Sequence, residues 1–268
     1  MLWDTHMHCN FSGDSDADPE DMIRAAMHTD LDGICFTDHL DYDFPSDPDL
    51  FVLDLDDYDR TILALSEKYA DTFPVLHGIE IGVQPHLHDK LREVVRSHPY
   101  DQVICSSHTI DGQDPYYKTF FEGREEHAAY RRYFESILEN LDGFSDFDVY
   151  GHIDYVVRYG PNTNQFYSYD AYADVLDAIL KKIIGMGKGI EINTGGFKYG
   201  LGHPNPCEDV LRHYRSFGGE IITIGADAHA PEHVAYDFAK VPRILREAGF
   251  THYTVFKKRK PLFYPLPE

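Results

Sequence analysis

The feature that most constrains the fold is a regular alternation of short apolar strands and amphipathic helices. Residues 172–184 form an apolar stripe at helical spacing, and residues 189–193 then form a short apolar strand. Seven such strands alternate with helices, without a linker or a solenoid repeat between them. This pattern favours a parallel sheet covered by helices, built either as an open doubly wound sheet or as a closed barrel. We therefore expect an α/β fold in which residues 1–268 form one domain.

The predicted strands end in side chains that can bind metals. The first strand ends in His6-x-His8, and both imidazoles project together because residues i and i+2 of a strand share a face. Asp227-x-His229 repeats this arrangement at the end of the seventh strand. A barrel gathers all its strand ends at one rim, whereas an open sheet gathers only those near its switch point, so these positions favour the barrel. The candidate ligands are His6, His8, Asp14, His39, Glu80, His108, His152, Asp227 and His229.

Each candidate ligand also has an ordinary structural explanation, such as a buried core histidine or a helix-capping aspartate. Taken together, six histidines and three carboxylates at one rim are better explained by metal binding. This set exceeds what one four-coordinate zinc ion uses, and it suits two or three ions that share a bridging carboxylate. Nitrogen and oxygen ligands without a thiolate are compatible with zinc, iron or manganese.

The composition limits which partners the protein can bind and indicates its cellular compartment. The net charge of −22 argues against nucleic-acid binding, which needs basic patches to neutralise phosphates. The four cysteines show no CxxC pair and are expected to be buried free thiols. No apolar stretch approaches the length needed to span a membrane, and no signal peptide is recognisable. We expect a cytoplasmic protein with a small-molecule partner and no membrane partner, and the sequence leaves its oligomeric state open.

Six short motifs carry a family resemblance: His6-x-His8 with Asp14, Thr37-Asp38-His39, Gly78-x-Glu80, Ser106-Ser107-His108, Gly151-His152-x-Asp154 and Asp227-x-His229. Their order and spacing resemble those of the PHP (polymerase and histidinol phosphatase) superfamily, over essentially the whole chain. Within the superfamily, residues 152–158 and 191–198 are most similar to the stand-alone histidinol-phosphate phosphatases.

The resemblance implies a distorted seven-stranded (β/α)7 barrel with three divalent metal ions. The motifs imply that Glu80 bridges the first two ions. By the same resemblance, the first ion would be held by His6, His8, Glu80 and Asp227, the second by Glu80, His108 and His152, and the third by Asp14, His39 and His229.

The expected activity is metal-dependent hydrolysis of a small phosphate monoester. The resemblance points to L-histidinol phosphate, which would give L-histidinol and phosphate in histidine biosynthesis. Paired metal ions lower the pKa of a bound water and hold phosphoryl oxygens for in-line attack. Glu80 is expected to act as the bridging ligand, and Asp227 or a metal-bound water as the carrier of a proton to the leaving alcohol.

The substrate should also contact residues outside the ligand set. Arg158 and Lys198, in the loops after the fifth and sixth strands, are candidates for binding the phosphate. The family pattern tends to carry arginine where this chain has Lys198, and lysine supplies a point charge rather than a bidentate fork. The amine and imidazole would need acidic and aromatic partners, for which Asp41, Tyr117 and Glu122 are the candidates.

Three other functions remain open at this stage. A related phosphoesterase could act on nucleotides or nucleic-acid ends, although the acidic charge disfavours a polynucleotide. An amidohydrolase-type enzyme usually has a metal-bridging lysine, and no lysine ends a predicted strand here. A non-catalytic metal-binding module would bind metal without turnover, but it offers no reason to keep the whole ligand set.

Overall fold

The framework is a seven-stranded parallel sheet that curves into a nearly closed barrel. The computed structural model describes residues 2–268, in which the seven strands pair in the order in which they follow along the chain. The first and last strands meet at a seam, where the His8 amide donates to the Ala228 carbonyl at 2.8 Å and the Asp227 amide donates to the His6 carbonyl at 2.9 Å. The prediction of a seven-stranded (β/α) barrel is therefore confirmed.

At least one helix lies between each two consecutive strands of the barrel, and one short strand (His39–Leu40) pairs with the barrel strand Val75–Gly82 beside the main path. The strands are β1 (Leu2–Met7), β2 (Leu31–Phe36), β3 (His39–Leu40), β4 (Val75–Gly82), β5 (Gln102–Ser106), β6 (Val149–Tyr150), β7 (Gly189–Asn193), β8 (Ile222–Gly225), β9 (His252–Lys257) and β10 (Lys260–Pro265). The helices are α1 (Pro19–Met27), α2 (Leu55–Tyr69), α3 (His88–Ser97), α4 (Glu126–Gly143), α5 (Ala173–Gly185), α6 (Gly195–Lys198), α7 (Glu208–Ser216) and α8 (Val241–Glu247).

Helix α2 supports the strand that carries Glu80. Tyr58 and Ile62 lie on the buried face of α2, one helical turn apart, as the 3.6-residue period requires. The Tyr58 hydroxyl donates a hydrogen bond of 2.8 Å to the Gly78 carbonyl of β4. The helix therefore fixes β4 two residues before Glu80, so its packing contributes to the position of that carboxylate.

Two local features differ from what sequence patterns alone predict. An Asn-Pro pair before a helix is typical of a cap, but Cys207 directly precedes α7, and the Asn205 backbone instead forms two 2.8 Å hydrogen bonds with the Asn193 backbone. After β9, a further strand, β10, pairs with it antiparallel. Pro261 and Pro265 hid this strand, because proline is uncommon in strands except at edges, where β10 lies.

The structure agrees with two expectations from the sequence, which concern the cysteines and the absence of a long apolar helix. Cys9, Cys35, Cys105 and Cys207 are buried, and none forms a disulfide within the described part of the chain. Among residues 2–268, none of the helices combines the length and the apolar character needed to cross a bilayer.

Two neighbouring residues of α2 provide a matched test of this packing. Ile62→Ala should lower the free energy of unfolding by about 2–5 kcal/mol, because it opens a cavity against β4. Leu63→Ala should change it by less than about 0.5 kcal/mol, because Leu63 is 41% exposed. Urea unfolding of both variants measures the difference, and equal losses would contradict the assigned face of α2.

Candidate metal centre

The barrel brings the nine candidate ligands together around Glu80. Glu80 Oε2 lies 3.2 Å from His6 Nε2 and 3.0 Å from His39 Nδ1, and Glu80 Oε1 lies 2.9 Å from His152 Nε2 and 3.4 Å from His108 Nε2. The Glu80 side chain is fully buried. One carboxylate therefore faces four imidazoles that come from four different segments of the chain.

The remaining ligands adjoin this cluster. Asp227 Oδ1 lies 3.4 Å from His8 Nε2, and Asp14 Oδ2 lies 3.2 Å from His229 Nε2. The rings of His8 and His229 stack with centroids 4.0 Å apart. Donor atoms close enough to share an ion occur in five overlapping groups: His6, His8 and Glu80; His6, His152 and Asp227; Glu80, His108 and His152; His8, His39 and His229; and His39, Asp41 and His108.

Hydrogen bonds orient several of these imidazoles with Nε2 toward the centre. His6 Nδ1 lies 2.6 Å from Glu191 Oε1, and His108 Nδ1 lies 2.8 Å from Asp41 Oδ1. His229 Nδ1 lies 3.1 Å from the Asp227 carbonyl oxygen. These oxygens can only accept, so we assign the ring proton to Nδ1 in each case, which leaves the Nε2 lone pair for a metal ion.

His8 is oriented in the same way by a hydroxyl group. The Ser12 hydroxyl donates its one proton to Asp38 Oδ1 at 2.8 Å, so it must accept from His8 Nδ1 at 3.0 Å. The Nε2 atoms of His6 and His8 then face each other at 3.1 Å. Two lone pairs at this distance need a cation or a proton between them, so the residues fit a bound metal ion.

The electrostatics of the cluster favour ionised carboxylates. Burial alone would lower the pKa values of His6, His39 and His108, but the neighbouring carboxylates raise them, so a metal ion that binds there displaces protons. Burial alone would raise the pKa of Glu80, but the surrounding His6, His39 and His108 hold it well below its ordinary value. Burial also acts to raise the pKa of Asp227, yet contacts with His6, His8 and Arg158 hold it well below normal. Desolvation, together with nearby His229 and His39, lowers the pKa of His8. Ionised carboxylates and neutral imidazoles are the forms that bind metals.

Glu191 was not among the sequence candidates, although it is fully buried in this cluster. Besides holding His6, it accepts the His152 amide at 3.1 Å through Oε2. Gly225 makes room for it, because a Cβ there would lie 2.4 Å from Glu191 Oε1. The signal was available: Glu191 and Asn193 alternate with apolar residues in β7, so the same-face rule for strands would have placed them inward.

Arg158 is a buried residue that contacts Asp227. Its Nη1 donates to Asp227 Oδ2 at 3.0 Å, its Nε donates to Asn205 Oδ1 at 2.7 Å, and its Nη2 donates to Asn193 Oδ1 at 3.0 Å. Asp227 itself has a left-handed backbone with φ of 57°, a conformation that aspartate tolerates better than most residues. The ion pair therefore fixes a ligand held in an uncommon conformation, and each Nη keeps one further N–H for a ligand.

A cavity of about 430 Å³ opens beside the cluster. Arg158, Lys198, Tyr117 and Asp41, four of the five proposed substrate contacts, are among its lining residues. Lys198 Nζ donates to the Asp227 carbonyl at 3.4 Å, and burial lowers the pKa of Lys198. Both cations therefore stand on the Asp227 side of the cavity.

The acidic candidates lie in different surroundings. Asp41 accepts a hydrogen bond from His108 through Oδ1, and its buried Oδ2 has no hydrogen-bond partner among residues 2–268, so Asp41 stays a candidate for a substrate contact. Glu122 is exposed and does not line the cavity. Asp114 lines it from the same loop as Glu122 and was missed, because nothing in the loop sequence distinguishes the two acids. Burial raises the pKa of Asp114 to about 6.

The fold and the cluster define a (β/α) barrel protein with several groups of potential metal ligands at its rim. The PHP domain family matches residues 4–195 of the chain. A histidinol-phosphatase from Lactococcus lactis is 30% identical over 261 residues, which cover 96% of this chain and 95% of that protein. A protein from Clostridium acetobutylicum named "Probable histidinol-phosphatase" is 32% identical over 267 residues, covering 98% and 97%.

A solved structure agrees with these relatives. The Lactococcus lactis histidinol phosphate phosphatase, complexed with zinc, L-histidinol and phosphate, superposes with a TM-score of 0.91 at 29% identity, covering 97% of this chain and 98% of the other. The chain belongs to the PHP domain family, which confirms the resemblance drawn from its motifs.

The contact between Glu191 and His6 can be tested separately from catalysis. Glu191→Gln should weaken zinc binding at the site that includes His6 by about 10–100-fold, because the amide no longer fixes the imidazole as the carboxylate does. Competition with a chromophoric chelator measures this affinity. Glu220→Gln, at a position 71% exposed, is the matched control and should bind zinc as the unaltered protein does. Unchanged affinity in Glu191→Gln would contradict the assigned role.

Proposed function

We propose that the chain hydrolyses L-histidinol phosphate to L-histidinol and inorganic phosphate. The observation that carries the proposal is the buried ligand cluster around Glu80, which opens on a cavity with two cations. The relatives named above as histidinol-phosphatases support the substrate, and so does the Lactococcus lactis structure that contains L-histidinol and phosphate. A small phosphate monoester is the proposed partner, and the net charge of −22 argues against nucleic acids and anionic membranes.

We propose three divalent ions, held by the ligand sets that the family resemblance implies. The Lactococcus lactis structure contains zinc, so zinc is our first choice, ahead of iron or manganese. When bound, such ions neutralise the phosphoryl oxygens and lower the pKa of water, which a phosphate monoester needs because its spontaneous hydrolysis is very slow. The compartment that we propose is the cytoplasm, on the sequence evidence of four cysteines without a pairing pattern.

The protein side chains have separate tasks in this proposal. Arg158 and Lys198 bind the phosphate from the Asp227 side of the cavity, using N–H groups that their fixed partners leave free. Asp227, or a metal-bound water, carries a proton to the leaving alcohol oxygen, and the contact with Arg158 fixes the Asp227 carboxylate for this task. Glu80 keeps the ligand cluster together.

Metal removal and one ligand substitution test the activity. The zinc-loaded protein should release phosphate from L-histidinol phosphate, and a chelator should abolish the release. Glu80→Gln should lower kcat/KM by more than about 100-fold, since it removes the central carboxylate, whereas the exposed control Glu67→Gln should not. The assay is a phosphate-release panel that also contains a nucleotide monophosphate and an aryl phosphate. A lack of release from every ester would contradict the enzyme, and a preference for the nucleotide would contradict the substrate.

Lys198 allows a test of phosphate binding. Lys198→Ala should raise KM for L-histidinol phosphate about 10-fold, because a partly buried charge that pairs with the phosphate is lost. Lys198→Arg should restore much of the affinity, as it keeps the charge and adds a second donor. Steady-state kinetics measure both variants, with the exposed Lys181→Ala as the control. An unchanged KM in Lys198→Ala would place the lysine outside the phosphate site.

A further inference from the structure

Asp114 is a buried acid that the proposed mechanism does not use. It lies in the loop after β5, is 6% exposed, and lines the same cavity as the ligand cluster. Its Oδ1 accepts the Tyr116 amide at 2.8 Å and lies 3.5 Å from the Tyr155 hydroxyl. Its Oδ2 has no hydrogen-bond or ion-pair partner among residues 2–268. One oxygen therefore fixes the side chain, while the other is left for a ligand.

The surroundings of Asp114 suit an organic cation. Tyr155, Tyr159 and Tyr116 line the cavity beside it, with ring centroids 5.0 Å apart for Tyr155 and Tyr159 and 5.4 Å apart for Tyr116 and Tyr159. Aromatic faces attract ammonium groups and cover apolar carbon atoms at the same time. A buried carboxylate without a counter-charge is unfavourable, so a bound cation at this position would relieve that cost.

The cavity is divided by charge. Arg158 and Lys198, the lysine and arginine side chains that line it, both contact Asp227 rather than Asp114. Tyr155 connects the two ends, because its ring lies 5.1 Å from that of His152 while its hydroxyl approaches Asp114. A ligand with a phosphate group and a positive charge a few atoms away would fit this cavity, with the phosphate near Arg158 and Lys198 and the positive charge near Asp114.

We propose that Asp114 binds the ammonium group of the substrate, and that it makes the site selective for phosphate esters that carry an amine near the ester carbon. This inference rests on the proposed phosphatase function, because the phosphate must occupy the end of the cavity with the metal ligands. Asp114 thereby takes the place that the sequence alone gave to Glu122.

Three esters separate the groups that Asp114 could recognise. L-Histidinol phosphate has both ammonium and imidazole, L-phenylalaninol phosphate keeps only the ammonium, and 3-(imidazol-4-yl)propyl phosphate keeps only the imidazole. The unaltered protein should prefer the first ester over the third. Asp114→Asn should lower kcat/KM about 10–100-fold for the two amines, mainly through KM, because a charge-assisted hydrogen bond is lost. The third ester should change less than about 2-fold.

Glu125→Gln is the matched control, because it removes an exposed acid from the same loop that does not line the cavity. It should leave all three kcat/KM values unchanged. An equal loss for all three esters in Asp114→Asn would overturn the inference. A loss confined to the two imidazole esters would overturn the ammonium assignment.

A binding measurement keeps the inference testable apart from turnover. Calorimetry on the zinc-loaded protein compares L-histidinol with 3-(imidazol-4-yl)propanol, in the presence of inorganic phosphate. The unaltered protein should bind the amine more tightly, and Asp114→Asn should remove most of that difference. Equal binding of the two alcohols by the unaltered protein would overturn the inference without the use of any variant. A lack of phosphate release together with selective amine binding would contradict only the proposed function.

Discussion

The structure depends on one buried carboxylate, that of Glu80, and on the imidazoles that keep it ionised. A glutamate buried without counter-charges would take up a proton, because desolvation raises its pKa. Here His6, His39, His108 and His152 surround it, and the pKa lies well below the ordinary value. The barrel makes this possible, because parallel strands bring side chains from distant parts of the sequence to one rim. The arrangement of strands that forms the barrel therefore also assembles the ligand cluster.

A second layer of hydrogen bonds decides what the cluster can bind. Glu191, Asp41 and Ser12 accept the Nδ1 protons of three histidines, so that each Nε2 faces inward and becomes a metal ligand when it carries no proton. Without these acceptors the rings could adopt the other tautomer, in which Nε2 carries the proton. The same principle extends to Asp227, whose carboxylate is fixed by Arg158. The arrangement explains why so many polar side chains are buried at this rim.

Part of this organisation could be predicted from the sequence. The alternation of strands and helices predicted a parallel sheet covered by helices, and the candidate ligands at the strand ends favoured a barrel over an open sheet. The i, i+2 spacing of His6 with His8 and of Asp227 with His229 predicted shared faces. Long-range partners could not be predicted, because local patterns do not report which side chains meet across the barrel. The sequence therefore did not show that Asp41 orients His108 or that Glu191 orients His6. Asp114 and Glu122 look alike in the loop sequence, and only burial separates them.

The central claim is that this rim gathers the strand ends into one metal centre around Glu80. The most direct measurement is anomalous X-ray diffraction at the zinc absorption edge, from crystals of the zinc-loaded protein. The account predicts anomalous peaks within ligand distance of His6, His108 and His229, with the Glu80 carboxylate between two of them. A zinc-loaded crystal with no peak beside Glu80, or with zinc bound only at surface histidines, would contradict it.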